Sequence, residues 1–138
     1  MNLIPWEDKY SIGIVEIDDQ HKKMLSIINR LHSLLEEKKN DNPNEIEAII
    51  QEMVDYAIYH FQTEERYFKL FSYEKSEAHI EIHNQYKAKI EDWHKRYSET
   101  KDGAIFFEIS TYLHDWWTWH INNSDRDYAP LLIENGVK

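Results

Sequence analysis

Apolar residues recur at steps of three and four along most of the chain, which is the spacing of one face of an α-helix. The first such stretch spans residues 19–39, and Asp18 or Asp19 is the predicted N-cap. The residues on its apolar face are Met24, Leu25, Ile28, Leu31 and Leu35. Polar residues at 40–42 interrupt the pattern, so we expect a loop there.

A second helix is predicted to begin directly after this break. Residues 42–45 read Asn-Pro-Asn-Glu, which supplies an N-cap, a proline at the first helical position and a glutamate three residues after the cap. The helical pattern then continues to about residue 71. The residues expected on its inward face are Ile46, Ile49, Met53 and Ala57.

Two more helical stretches follow, separated by a polar break at 101–103. The third begins near residues 74–76, ends near 99 and passes through Ile90, Trp93 and Tyr97. The fourth spans 104–121, with Phe106, Ile109, Leu113 and Trp116 on one face. Short connections between four helices predict antiparallel neighbours, and so an all-α, up-down-up-down antiparallel four-helix bundle.

The length of 138 residues predicts a single domain. We expect an N-terminal arm at 1–17, the bundle at about 18–122, and a C-terminal segment at about 123–138 with a short helix around 128–135. Three Gly and three Pro are too few turn formers for a many-stranded sandwich or barrel.

Composition excludes several classes of function. A net charge of −10 argues against binding to nucleic acid. No apolar run of about 18 residues could span a membrane, and the first residues lack the pattern of a secretory signal. We therefore expect a cytoplasmic protein. The absence of Cys excludes disulfides, thiolate zinc sites, cysteine-held iron–sulfur clusters and cysteine nucleophiles.

Histidines fall on the inward face of every predicted helix. Residues four apart on a helix lie within about 40° of each other, so His60 shares a face with Glu64, and His79 shares one with His83. In an antiparallel bundle the inward histidines of all four helices also fall at one end. The residues gathered at this end are five histidines and one glutamate: His21, His60, Glu64, His79, His83 and His120.

A single inward histidine is more often a hydrogen-bonded core residue than a ligand. Five together are harder to accommodate, because any that became protonated would repel the others. A bound metal resolves this difficulty, since neutral imidazole is a common metal ligand. Three histidines do not fit the set: His114 lies about 120° from His120, and His32 and His94 lie roughly 16 Å away along their helices.

The ordered pattern His21, His60-x-x-x-Glu64, His79-x-x-x-His83 and His120-x-x-x-x-Asp125 resembles the hemerythrin family, specifically the single-domain bacterial hemerythrins. The likeness covers nearly the whole chain. Other residues that resemble the family's segments are Trp6, Tyr10, Gly13, Ile14, the segment 17–22, Phe61, Glu65, Trp116, Ile121 and Tyr128.

The resemblance implies a non-haem site of two iron ions with a bridging oxo or hydroxo group. His79, His83 and His120 would hold one iron, His21 and His60 the other, and Glu64 and Asp125 would bridge both. Asp125 lies about 140° from His120 on a continuous helix, so we expect the helix to loosen around residues 122–124.

Counting ligands suggests what such a site binds. Two octahedral irons offer about twelve positions, of which the protein and the bridging solvent fill about eleven. The open position lies on the iron with two histidines. By resemblance, O2 or another small diatomic or anionic ligand binds there reversibly, which implies oxygen storage, delivery or sensing by a protein that is not an enzyme. We expect a monomer, and the sequence leaves an oligomer open as the alternative.

One residue departs from the family pattern. The family usually has Leu after the tryptophan of the fourth helix, whereas this chain has Trp117. Trp117 lies about 60° from His120, so it either lines the O2 pocket together with Ile121 or repacks the edge of the core. Trp119 lies about 100° away and is expected to be peripheral.

Alternative functions remain open on the sequence. One is a di-iron enzyme that handles O2, peroxide or nitric oxide, and another is an O2- or redox-sensing module that acts through a partner protein. Imidazole–carboxylate sites also take manganese or zinc.

Overall fold

A computed structural model describes residues 5–36, 43–100 and 103–138. After a single 3₁₀ turn at Asp8–Tyr10, it contains five helices and, within those residues, no strand. The helices are α1 (Val15–Glu36), α2 (Pro43–Leu70), α3 (Ser76–Thr100), α4 (Ala104–Asn122) and α5 (Ser124–Glu134). Contacts join α1 to α2, α2 to α3, α3 to α4, and α4 back to α1, while α5 packs on α4. The predicted all-α bundle with a short C-terminal helix is confirmed.

Helix α1 begins at Val15, four residues before the predicted start, so an N-cap at Asp18 or Asp19 is wrong. Asp18 lies instead in the first helical turn, where its carboxylate accepts hydrogen bonds from the Ser11 hydroxyl and, at 2.9 Å, from the Ile12 N–H. These bonds connect the arm to the helix. A carboxylate near the N-terminus of a helix also stabilises it by interacting with the positive end of the helix dipole. The predicted end of α1 and the N-cap Asn42 lie outside the described residues.

The turn after α2 reverses the chain through a left-handed residue. Ser72 has a φ of 52°, and the Tyr73 N–H donates to the Phe68 carbonyl at 3.0 Å. This arrangement closes the last turn of α2 and satisfies a carbonyl that has no partner within the helix. The turn places the C-terminal end of α2 beside the N-terminal end of α3.

The core fills the bundle along its length. Its buried side chains include Met24, Leu25, Ile28, Leu31, Ile46, Ile49, Met53, Ala57, Ile90, Trp93, Tyr97, Phe106, Ile109 and Leu113, as the periodicity predicts. Trp116, which the periodicity places on this face of α4, packs against the core and is partly buried, whereas the neighbouring Trp117 is fully buried. The side chain of Leu35 lies outside the described residues. None of the described helices is long and apolar enough to cross a membrane.

Candidate metal centre

Seven polar side chains from all five helices meet at one end of the bundle. Six of them have no solvent exposure, and His79 is 4% exposed. They come from the start of α1, the end of α2, the start of α3, the end of α4 and the start of α5, as antiparallel neighbours require. The seven are His21, His60, Glu64, His79, His83, His120 and Asp125, which are the seven that the sequence predicts as metal ligands.

Glu64 lies between imidazoles from α2 and α3. Its Oε1 atom is 2.7 Å from the Nε2 of His60 and 3.5 Å from the Nε2 of His83. Its second oxygen, Oε2, is 3.4 Å from the Nε2 of His79. A single carboxylate on α2 is therefore within reach of both groups of histidines that the resemblance assigns to separate ions.

Asp125 faces the same space from the opposite direction. Its Oδ2 atom is 2.6 Å from the Nε2 of His21, and its Oδ1 atom is 2.8 Å from the Nε2 of His120 and 3.3 Å from that of His79. The carboxylate reaches this position because α4 ends at Asn122 and α5 starts at Ser124. The sequence predicts a loosened helix around residues 122–124, and the structure has a complete break between two helices there.

The polar atoms that converge in this cluster face only one another. The Nε2 atoms of all five histidines and all four carboxylate oxygens of Glu64 and Asp125 are buried and have no hydrogen-bond partner outside the cluster. Leaving a buried polar group unpaired costs about 1–3 kcal/mol, and more for a charged one. Two overlapping sets have ligand atoms within 4.8 Å of one another: Glu64, His79, His83 and His120, and His60, Glu64, His120 and Asp125. This donor set fits bound cations.

The outer ring nitrogens of two imidazoles have their own partners. The amide oxygen of Gln20 lies 2.7 Å from the Nδ1 of His60, and its amide nitrogen donates to the Thr63 hydroxyl at 3.2 Å. The Glu65 carboxylate lies 3.2 Å from the Nδ1 of His83. Because Nδ1 donates to an oxygen in each case, Nε2 keeps its lone pair and points it into the cluster. Gln20 and Glu65 lie in segments that resemble the family, but their role as imidazole partners was missed in the sequence; the need of a ligand imidazole for a second partner is the signal that would have indicated it.

The electrostatics of the cluster also favour added positive charge. Burial raises the pKa of both carboxyls, but the surrounding histidines outweigh it, so the pKa values of Glu64 and Asp125 lie below their ordinary values. Burial alone would lower the pKa of His79, yet contacts with Asp125 and Glu64 raise it to about 10. The same pair raises the pKa of His120 to about 9, against burial. For His60, burial dominates and lowers the pKa.

Two ionised carboxylates therefore require positive charge beside them. In this cluster that charge is supplied either by protons on imidazoles or by a cation that displaces those protons.

Trp117 lies beside the two histidines of α1 and α2. Its ring centroid is 5.7 Å from that of His60 and 6.4 Å from that of His21, and the side chain has no solvent exposure. Its indole N–H donates to the Tyr86 hydroxyl at 2.9 Å. The side chain of Ile121 lies outside the described residues. Trp119 is 53% exposed and peripheral, as expected.

The three remaining histidines lie outside the cluster. His32 is buried and its Nδ1 contacts the Ser110 hydroxyl. His114 is about one-third exposed and lies 3.2 Å from the Asp115 carboxylate, while His94 is partly exposed on α3. The structure therefore separates the eight histidines into the same two groups as the sequence.

A helical bundle whose core holds five histidines and two carboxylates around one space is a metal-binding bundle protein by architecture. Residues 12–132 match the family model described as the Hemerythrin HHE cation binding domain. The chain belongs to the hemerythrin family.

Its relatives span almost all of its length. The bacteriohemerythrin of Pseudomonas aeruginosa is 32% identical over 132 residues, which are 96% of this chain and 83% of that protein. The bacteriohemerythrin of Clostridium acetobutylicum is 31% identical over 127 residues, 91% of this chain and 98% of that protein. Among solved structures, a leucine-to-alanine mutant of hemerythrin is similar with a TM-score of 0.85 and 25% identity, covering 96% of this chain and 98% of that one.

Proposed function

We propose that this protein binds O2 reversibly at a centre of two iron ions and does not turn it over chemically. The observation that carries the proposal is the convergence of nine buried polar atoms that have no hydrogen-bond partner outside the cluster: five imidazole Nε2 atoms and four carboxylate oxygens. Neutral nitrogen ligands with a minority of carboxylates suit iron that changes between ferrous and ferric states.

In this proposal His79, His83 and His120 hold one ion, and His21 and His60 hold the other. Glu64 and Asp125 would bridge the two ions. The bridging role is supported by the position of each carboxylate, because Glu64 contacts His60 of one group and His83 of the other. Asp125 likewise contacts His21 of one group and His120 of the other.

The two-histidine side is where a small ligand would bind, since its ion has one protein ligand fewer. When bound in the ferrous state, the two ions together supply the electrons that a reversible complex with O2 requires. Trp117 and Phe61, both fully buried, provide apolar walls that exclude water. A dry apolar site limits the delivery of protons that would turn bound O2 into released peroxide.

The experiment is a cycle of O2 addition and removal. The iron-loaded protein is reduced without air, exposed to O2, and returned to low O2 pressure while its visible absorption spectrum is recorded. We expect a band that appears and disappears through several cycles, and the same behaviour from the matched variant His114→Ala. Immediate one-way conversion to the ferric form with release of peroxide would overturn the proposal and favour the enzyme alternative.

Elemental analysis of the protein purified from its own cells tests the metal independently. About two iron ions per chain are expected. A chain that carries only zinc or manganese would contradict the proposal before any O2 is added.

A further inference from the structure

Two imidazoles on the three-histidine side are each covered by a stacked aromatic ring. The Trp116 indole lies on His120 with a centroid distance of 4.3 Å and an interplanar angle of 14°. The Phe61 ring lies on His83 at 3.9 Å and 10°. Trp116 and Phe61 also contact each other at 5.9 Å. Trp116 is therefore stacked on one ligand imidazole and in edge contact with the ring that covers another.

Trp116 also connects the cluster to the protein surface. It is partly exposed, unlike the fully buried His120 and Trp117. Further rings extend from it along the contact between α3 and α4: Tyr86 lies 4.3 Å from Trp116 and 6.4 Å from Tyr112. Trp116 therefore connects the buried cluster both to solvent and to a series of ring contacts between α3 and α4.

The two-histidine side has a different arrangement. Trp117 meets His21 at an interplanar angle of 67° and His60 at 51°, so neither contact is a parallel stack. Trp117 has no exposed surface, and its N–H is used by Tyr86. A parallel stack places the π face of one ring against the π face of the other, whereas an edge contact places a ring edge against a face. The parallel ring stacks on ligand imidazoles therefore lie on the three-histidine side.

We propose that Trp116 is the entry point through which an external one-electron donor reduces the centre after it has become ferric. The proposal rests on the proposed function, because only a ferrous centre binds O2 and a ferric one must be restored. Each transfer oxidises one donor molecule by one electron and reduces one ferric ion to ferrous, so two transfers restore the pair. No bond in Trp116 forms or breaks, and the indole is unchanged at the end of each transfer.

The first test compares variants of two tryptophans on the same helix. Ferric, iron-loaded protein is mixed without air with reduced methyl viologen, and the reduction rate is measured by stopped flow. Trp116→Leu removes the stacked ring and should slow reduction by about tenfold, whereas Trp116→Phe keeps a ring on His120 and should retain most of the rate. The control Trp119→Leu, at an exposed position, should match the parent protein.

The reduction potential distinguishes a coupling role from a structural one. Loss of a pathway lowers the rate and leaves the potential and the iron content unchanged. A rate that is unchanged in Trp116→Leu, or one that falls only as far as a shifted potential requires, would overturn the inference. Reversible O2 binding by the same sample would show that the proposed function stands even then.

A second measurement keeps Trp116 in place. Because the chain has no Cys, a single cysteine can carry a ruthenium photosensitiser at a chosen surface position. Asp115→Cys places the label next to Trp116, and Gln62→Cys places it on the exposed side of α2 between His60 and Glu64. We expect light-driven reduction to be about tenfold faster from position 115. Equal rates, or a faster rate from position 62, would contradict the proposal.

Discussion

Buried histidines occur in two regions of this bundle, and their surroundings are opposite. His32, about three helical turns from the cluster, is 6% exposed, and its ring contacts the Ser110 hydroxyl. The imidazoles at the other end of the bundle are also buried, yet their Nε2 atoms have no hydrogen-bond partner outside the cluster. Burial alone therefore does not mark a ligand. A ligand is marked by a buried polar atom that faces only the other ligands of the cluster.

Of the variants compared, Glu64→Gln should have the largest effect on metal binding at the cluster. Glu64 contacts imidazoles of both proposed ions, so loss of its charge weakens the binding of both. We expect the metal content of purified protein to fall below about one ion per chain, with loss of the O2-dependent absorption band. The control is Glu81→Gln, an exposed position on α3. Full metal content in Glu64→Gln would mean that this carboxylate is not a ligand.

A reciprocal pair, His60→Ala and His32→Ala, tests the two regions against each other. His60→Ala should lower the metal content, whereas His32→Ala should leave it unchanged. In urea unfolding of the metal-free protein, His32→Ala should lower the free energy of unfolding by about 1–3 kcal/mol, because Ser110 loses its partner. His60→Ala should cost less, because it also removes the desolvation penalty of an imidazole that has no solvent exposure. A larger loss of unfolding free energy in His60→Ala than in His32→Ala would contradict this distinction between the two regions.

Trp117→Leu should have a smaller effect that is confined to ligand exchange. The smaller side chain opens space beside His21 and His60 without removing a polar ligand. We expect unchanged metal content and a severalfold faster loss of bound O2, measured by rapid mixing with an O2 scavenger. Trp119→Leu is the control on the same helix. An unchanged rate would indicate that Trp117 only packs the core, the alternative that its sequence position left open.

The smallest effect is expected for His114→Ala. This side chain is about one-third exposed and is paired only with the neighbouring Asp115 among the contacts described. Metal content should match that of the parent protein, and the free energy of unfolding should change by less than about 0.5 kcal/mol. Loss of metal would mean that the ligand-bearing face of α4 has been assigned incorrectly.

Much of the fold could be predicted because helical periodicity is local. Three- and four-residue spacings identify α1 to α4 and the face of each helix that is buried, since helix geometry alone relates these positions. The boundaries were less accurate. The start of α1 was missed because hydrogen bonds from Ser11 and Ile12 to Asp18 involve the arm rather than the helical pattern.

Asp125 and the two adjacent tryptophans of α4 show where periodicity was insufficient. On a continuous helix Asp125 points away from His120, and only the break at Asn123 turns it into the cluster. Trp116 and Trp117 lie about 100° apart on α4, and the rotation of the helix about its axis decides how deeply each is buried. That rotation is set by packing against α1 and α3, which no local spacing contains.

The sequence by itself determined the helices, the end of the bundle at which the histidines meet, and the residues that resemble the family's ligands. The tertiary structure decided which polar atoms have partners. The partners of His60 and His32 are 40 and 78 residues away in sequence. Such pairs depend on how separate helices are rotated and set against each other, and for that reason the distinction between a satisfied histidine and a ligand emerges only when the helices are packed.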